Sequence, residues 1–408
     1  MQTVGDVRST VVTVPFTEPE TWFFGRSWGL TTAIVEVETT DGVVGIGECP
    51  GVPDISAATN AIEAMVPLLV GHEASDVLAF LRRVGMHGWH HSPYQGNLAA
   101  AALEMAMWDV VGKSGGLPLH RLFGGLERRS VPYYWYVWVP ERDVETACEQ
   151  AADGVARGFG TVYLKIGFDV ANDLALVRSV RSEVGPDVAI RVDANEAWTP
   201  FTAIEALRAF EEVGLEFLEQ PIDMHDIAGM AFLRRQTRTR IGANQSAWLP
   251  HQVLDVVAQR AADVVVTDPH QLGGLTPFRD AARLCEAAHV PVIKHSFGDL
   301  GITTAATLHV LGGLHEPTLA HQTHLTILEH DLLKEPFEFA DGCLKVPDGP
   351  GIGVEIDPDA LQHYAGIYET VGELSGYGNE HQESPIPSRL LMAESPRVTH
   401  RGEGGVPP

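Results

Sequence analysis

Cysteine is scarce and dispersed in this chain: Cys49, Cys148, Cys285 and Cys343 are the only four, and no two form a Cys-x-x-Cys pair. That spacing argues against a disulfide framework and a thiolate zinc site, and suits reduced thiols in a cytoplasmic protein. Basic residues are also few, 28 Lys and Arg against 54 Asp and Glu, for a formal net charge of −26. A surface of that sign repels phosphate backbones and anionic bilayers, so neither nucleic acid nor a membrane is an expected partner. No apolar run approaches the ~20 residues that span a bilayer. The N-terminus Met1-Gln-Thr-Val-Gly-Asp6 lacks the basic-then-apolar pattern of a secretory leader. What remains is a 408-residue chain of ordinary globular composition, long enough for two domains, one of them barrel-sized.

Up to about residue 48 apolar and polar positions alternate, as in Thr32-Ala-Ile-Val-Glu-Val-Glu38, and Thr39-Thr-Asp-Gly42 reads as a hairpin turn. This predicts an antiparallel meander. Thr17-Glu-Pro-Glu-Thr-Trp-Phe-Phe-Gly-Arg26 interrupts it with Pro, Gly and aromatics, and reads as a mobile lid over a ligand, with Arg26 as a substrate contact. Helices follow, notably Leu98 to Lys113, with Leu103, Met107 and Val110 on one face and Gly115-Gly116 as the stop. The cluster Met86-His-Gly-Trp-His-His91 is a further candidate for a pocket wall.

From Val131 the pattern changes to repeated strand-then-helix units. Apolar runs at Val131 to Val137, Thr161 to Leu164, Val188 to Val192, Leu215 to Leu218, Arg240 to Ala243, Asp263 to Val266, Pro291 to Ile293 and Pro317 to Ala320 give eight strand candidates. Eight parallel strands with intervening helices close into a barrel. The runner-up, a doubly wound open sheet, lacks a Gly-rich nucleotide turn after its first strand. The organisation expected is therefore an α/β chain with a meander and helices over residues 1–128, a (β/α) barrel over 129–335, a crossing segment over 336–377, and a loose tail over 378–408.

Polar residues recur at the ends of these apolar runs: Lys165, Asp193, Glu219, Asn244, Asp268 and His295, at intervals of 28, 26, 25, 24 and 27 residues, one strand plus one helix each time. A parallel barrel gathers such residues at its C-terminal mouth. Asp193, Glu219 and Asn244 offer only oxygen donors, a set that favours Mg²⁺ over zinc or iron. Lys165 flanks them on one side as a candidate base whose pKa a nearby cation would pull down, and Asp268 with His295 forms a candidate dyad on the other.

These residues resemble the enolase superfamily. Ala101-Ala-Leu-Glu-Met-Ala-Met-Trp-Asp-Val-Val-Gly-Lys113, Leu117-Pro-Leu-His-Arg-Leu-Phe-Gly-Gly125 and Phe217-Leu-Glu-Gln-Pro-Ile222 look like signature segments of its mandelate racemase and muconate cycloisomerase-like members, and the likeness runs from about residue 5 to 370. It implies an N-terminal α+β capping domain over residues 1–128 on a modified TIM barrel, (β/α)7β, with residues 336–377 returning to the cap, Mg²⁺ bound by Asp193, Glu219 and Asn244, proton abstraction beside a carboxylate by Lys165 or the Asp268 and His295 pair, and a family in which homo-oligomers are common. Asp268-Pro-His-Gln-Leu-Gly-Gly274 and the C-terminal stretch to Asp357 are similar to glucarate dehydratase-like members, with His324 as a substrate contact. Three positions depart from that pattern. Tyr163 stands where the family has an auxiliary lysine, Phe297 where it has a polar amide, and Gln322 where it has an acidic residue. Tyr163 and Gln322 thus join His324 and Arg26 as expected substrate contacts, and the substrate becomes a hydroxy acid or sugar acid less polar than glucarate. Dehydration to a 2-keto-3-deoxy acid through an enediolate is the expected reaction. Racemisation or epimerisation is the alternative, and a catalytically silent ligand-binding barrel the lesser one.

Overall fold

A computed structural model describes residues 2–138, 143–315 and 319–374. The alternating N-terminal segment forms a three-stranded antiparallel sheet of β1 (Val4–Trp22), β2 (Gly25–Thr39) and β3 (Val44–Pro50), in that order. Helices α1 (Ile55–Met65), α2 (Val77–Met86) and α3 (Pro93–Gly115) follow, and α1 and α3 pack on the sheet. Leu103, Met107 and Val110 of α3 are buried with Ile62 and Phe80. The helix lies so close to β3 that a Cβ on Gly45 or Gly47 would strike the carbonyl oxygen of Ala106 or Ala102. Gly116, at φ 64°, ends α3, and the short α4 (Leu119–Leu122) leads out of the cap.

The stretch Thr17 to Arg26, expected as an irregular lid, is instead the far end of the β1–β2 hairpin. Glu20 pairs with Ser27, Thr21 with Arg26 and Trp22 with Gly25, after a register shift between Pro15 and Glu20. Pro19 falls inside that shift, where the ladder asks no N–H of it. The hairpin is also tied down, since the Thr17 N–H donates to the Ile327 carbonyl at 2.7 Å.

The second region begins with β4 (Ser130–Pro132) and β5 (Trp135–Tyr136), then α5 (Val144–Ala156), β6 (Thr161–Lys165), α6 (Val170–Val184), β7 (Ala189–Asp193), α7 (Pro200–Phe210) and β8 (Phe217–Glu219). It continues through α8 (Ile227–Arg234), β9 (Ile241–Ala243), α9 (Pro250–Gln259), β10 (Val264–Thr267), α10 (Pro269–Leu272), α11 (Leu275–Ala287), β11 (Val292–Lys294) and α12 (Gly301–Leu311). Strands β5 to β11 form one seven-stranded parallel sheet in sequence order, curled as a modified TIM barrel. Asp143, Asp169, Thr199 and Asp226 accept N–H groups at the starts of α5, α6, α7 and α8, which satisfies donors that a helix cannot use itself.

The sequence places an eighth strand at Pro317 to Ala320. Residues 316–318 lie outside the described ones, and Leu319 and Ala320 form no strand. The gap between β11 and β5 is bridged just downstream. The Gln322 N–H donates to Lys294 O at 2.9 Å, the His321 N–H to Pro132 O at 2.8 Å and the Tyr134 N–H to His321 O at 3.0 Å. Among the described residues the ring is therefore completed by these hydrogen bonds and one parallel bridge, Tyr133 to His321.

Two buried carboxylates of the cap hold the barrel. Glu104 on α3 accepts the N–H groups of Leu275 and Thr276 at the start of α11, at 2.8 and 2.9 Å. Glu48 on β3 accepts those of Leu300 and Thr303 at the start of α12, at 2.8 and 3.0 Å. Carboxyl oxygens at a helix N-terminus meet the donors that the helix leaves unpaired. Beyond the barrel, β12 (Cys343–Lys345) pairs with β4, and α13 (Pro358–Val371) packs against β1. The expected tail from residue 378 lies outside the described residues. Among the described residues no helix is long and apolar enough to cross a membrane. All four cysteines are free.

Candidate active site

The strand register explains how residues so far apart converge. Lys165, Asp193 and Glu219 end β6, β7 and β8, and the pairing sets Lys165 beside Asp193 and Asp193 beside Glu219. Asn244, Asp268 and His295 immediately follow β9, β10 and β11. A cavity of about 410 Å³ opens above this mouth, and Lys165, Asn244, His295, Gln322 and His324 line it.

On one flank the Lys165 Nζ donates to Asp193 Oδ2 at 2.7 Å and to the Tyr163 hydroxyl at 3.1 Å, while that hydroxyl donates to the same Asp193 oxygen at 2.8 Å. Burial alone would lower the Lys165 pKa, but Asp193, Glu20 and Glu219 outweigh it and hold it above its ordinary value. The downward shift expected of this lysine rests on a bound cation, which would offset these same carboxylates. Glu219 is pushed well above the usual carboxylate range, first by burial and then by the Asp193 charge.

Two buried carboxyl groups that repel one another, beside an amide, make a donor set suited to a hard divalent cation. Asn244 fits that role because its Nδ2 donates to Val266 O at 3.0 Å, which commits the nitrogen and leaves Oδ1 as the free end. Gln220 anchors this residue: its Oε1 accepts the N–H groups of Asn244 and Ser246, and its Nε2 donates to Ile222 O and Ser246 Oγ. Among the described residues no three His, Cys, Asp or Glu gather as a metal cluster, as expected when one of three donors is an amide.

On the other flank His295 Nδ1 lies 2.8 Å from Asp268 Oδ2. Asp268 Oδ1 accepts the N–H groups of His270 and Gln271 at 2.7 and 2.9 Å, so both oxygens of this fully buried carboxylate are occupied. The imidazole Nδ1–H is then directed at Asp268, and Nε2 is left for the cavity. Phe297 packs edge-on against the His295 ring, with centroids 4.7 Å apart.

At the far wall Ser296 Oγ accepts the N–H groups of Gly298 and Asp299, so its own proton goes to His324 Nδ1 at 2.9 Å. The remaining His324 Nε2–H faces Glu20 Oε2 at 3.5 Å, and Glu20 Oε1 accepts the Tyr136 hydroxyl at 2.8 Å. Burial would raise the Glu20 pKa, but His324, Lys165 and Tyr136 bring it below its ordinary value. The cap thus places a carboxylate at the mouth.

Two family descriptions match the chain, "Mandelate racemase / muconate lactonizing enzyme, N-terminal domain" over residues 7–124 and "Enolase C-terminal domain-like" over residues 146–360. The chain belongs to this enolase-superfamily family. Its relatives include muconate cycloisomerase 1 of Rhodococcus opacus, 29% identical over 87% of this chain and 96% of that protein. They also include arabinonate dehydratase of Saccharolobus solfataricus, 29% identical over 81% and 89%, and L-Ala-D/L-Glu epimerase of Bacillus subtilis, 30% identical over 85% and 95%. Among solved structures, an enolase from Thermobispora bispora complexed with magnesium and formate superposes with a TM-score of 0.83, at 29% identity over 91% of this chain and 94% of that one. These enolase-superfamily relatives are enzymes of differing reaction, cycloisomerase, dehydratase and epimerase, rather than glucarate dehydratases in particular.

Within this enolase-superfamily frame, several expected contacts sit elsewhere. Tyr163 is fully buried and is not part of the cavity wall, so it serves Lys165 and Asp193 rather than a substrate. Arg26 is buried in the hairpin with its Nε on Thr21 Oγ1 at 3.1 Å, and it too is absent from the wall. The β-pairing sets it opposite Thr21. The histidines at 87, 90 and 91 stand apart from the cavity, and His87 and His90 bond to carbonyls of their own helix end. Gln322 and His324 do line the cavity. Gln322 Oε1 is already taken by the Ser296 N–H at 3.2 Å. Two carboxylates escaped the sequence reading, Glu20 and Glu196. Glu196 lines the cavity beside Asn195, and both hold positive φ, 64° and 44°, a strain typical of functional loops. The signal available was position three after the strand-end Asp193.

Proposed function

We propose that this enzyme dehydrates a monocarboxylate hydroxy acid or sugar acid, taking the α-proton to form an enediolate and yielding a 2-keto-3-deoxy acid. The observation that carries the reading is that Asp193, Glu219 and Asn244, an oxygen-only donor set, stand at the ends of adjacent strands, beneath a cavity lined by Lys165 on one flank and the Asp-supported His295 imidazole on the other. Asp193, Glu219 and Asn244 Oδ1 would hold Mg²⁺. When bound, such a cation supplies Lewis-acid stabilisation of the charge that builds on the substrate carboxylate.

The chain's own groups do the rest. His295 Nε2 accepts the α-proton, and Asp268 stabilises the imidazolium that results. The imidazolium then returns a proton to the β-hydroxyl, the carbon–oxygen bond breaks, water leaves, and the enol product ketonises. Lys165 faces the same substrate from the opposite flank and would be the base for the other α-configuration, a role a bound cation would favour by offsetting the Asp193 and Glu219 charges that keep its proton on. Glu20, Glu196 and the Gln322 amide line the cavity as acceptors and donors for hydroxyl groups. Glu20, held ionised, also disfavours a second carboxylate there, which agrees with a substrate less acidic than glucarate. The proposed setting is cytoplasmic.

Epimerisation is the second reading, supported by the same pair of opposed bases and by the epimerase among the relatives. Incubating the Mg²⁺-loaded protein in deuterated water with a panel of hydroxy and sugar acids tests both. Keto-acid release is the expected outcome. Deuterium at the α-carbon with recovery of both epimers and no keto acid would overturn dehydration in favour of epimerisation. No exchange with any acid, together with no Mg²⁺ binding by calorimetry, would reject both.

A further inference from the structure

Behind the Asp268 and His295 pair lies a second buried layer. His270 is fully buried, and its Nε2 lies 2.9 Å from the backbone carbonyl of Glu48. A carbonyl oxygen only accepts, so Nε2 carries a hydrogen. Its Nδ1 is a buried atom without a hydrogen-bond partner. That atom stands 3.7 Å from Asp268 Oδ1 and 3.8 Å from Asp299 Oδ1, and Asp299 Oδ1 is itself a buried atom without a partner.

A bare lone pair on Nδ1 would point at two carboxylate oxygens in a medium that screens poorly. A proton there turns both repulsions into attractions and gives each orphaned atom a partner after a small shift.

The charges of the layer agree. Asp268 accepts N–H donors at both oxygens and Asp299 forms an ion pair with the buried Lys294 ammonium, so two carboxylates face one lysine. Glu48, the remaining acid of the layer, is pushed up to about 7 by burial and by Asp299. His295 also faces Asp268, but from the cavity side; His270 is the group whose unpartnered nitrogen faces both Asp268 Oδ1 and Asp299 Oδ1.

We propose that His270 is doubly protonated and, as an imidazolium wedged between Asp268 and Asp299, is the positioning residue that fixes the Asp268 and His295 pair and ties it to the cap through Glu48. The charge of His270 follows from the layer alone. Its effect on turnover rests on the proposed role of the pair.

Nitrogen-15 NMR of the full-length, Mg²⁺-loaded protein with labelled histidine, assigned by the signals lost in single variants, tests the charge directly. Both His270 ring nitrogens are expected in the protonated range at neutral pH, and Asp299→Asn is expected to strip the Nδ1 proton. An Nδ1 signal typical of a bare lone pair in the unaltered protein would overturn the proposal. His270→Gln tests the positioning. It is expected to shift the His295 ring signals and to lower kcat about 10- to 100-fold, the range seen when a supporting partner of an active histidine is removed, with KM changed less than about threefold. Unmoved His295 signals or an unchanged kcat would overturn the positioning role. If His270→Gln does not fold, the spectrum of the unaltered protein still decides. If no acid is turned over at all, the NMR result still stands while the dehydratase reading falls.

Discussion

Lys165 and His295 face one cavity from opposite sides, and they are held in opposite ways. Lys165 ends a strand and forms an ion pair directly with Asp193, itself a candidate ligand, with Tyr163 sharing both partners. His295 meets no candidate ligand among its hydrogen-bond partners. It leans on Asp268, which leans on backbone N–H groups and on a layer reaching the cap. The lysine flank is thus tied to the candidate donor set, whereas among the described residues the histidine flank shares no hydrogen bond with it. An enzyme that needs one base free and one charge held in place gains from this asymmetry, because altering the donor set disturbs one nitrogen and spares the other.

Four measurements would break or sharpen the contrast. Asp193→Asn is expected to have the largest effect, abolishing saturable Mg²⁺ binding in calorimetry and lowering kcat/KM by about 10³-fold or more. It should leave the ring signals of His295 in place; their loss would show that the flanks are coupled. His295→Asn is expected to cost roughly 10²- to 10⁴-fold in turnover, the usual span for a general acid–base group, while Mg²⁺ affinity stays unchanged. Reduced Mg²⁺ affinity in this variant would contradict the separation. Tyr163→Phe removes one hydrogen bond to Asp193 and one from Lys165, so a loss of about 1 kcal/mol, near fivefold in kcat/KM, is expected. A loss as large as that of Asp193→Asn would instead place the tyrosine in the chemistry.

The smallest effect concerns stability. Burial pushes the Glu196 carboxyl up to about 7, only partly offset by the Met224 N–H. The folded protein therefore keeps a proton that the unfolded chain has released, and stability falls as pH rises from the ordinary carboxylate value, near 4.5, towards about 7. Melting curves without Mg²⁺ should show a steeper loss between pH 5 and 8 for the unaltered protein than for Glu196→Gln; parallel curves would refute this.

Much of the fold was legible because strand-plus-helix units repeat at nearly constant spacing, and a parallel barrel converts that spacing into one ring of strand ends. Lys165, Asp193, Glu219, Asn244, Asp268 and His295 were assigned to strand ends this way, and that is where the structure has them. Arg26, Tyr163 and the histidines near residue 90 were misplaced for a common reason. Residue type shows what a side chain is able to do, but its direction depends on strand pairing and on what packs above it. Glu20 was overlooked because its neighbourhood read as loop, although cross-strand pairing makes it hairpin.

By itself the sequence determined the acidic surface, the meander, the order of the barrel strands and the oxygen-rich set at their ends, since all of these follow from composition and from periodicity along the chain. Only the tertiary structure decided which groups share a proton. Glu48 and His270 are 222 positions apart and yet bonded, and Glu20 and Tyr136 are 116 apart. Such contacts arise when cap and barrel bury polar atoms against one another and each must find a partner, a requirement that no local pattern records.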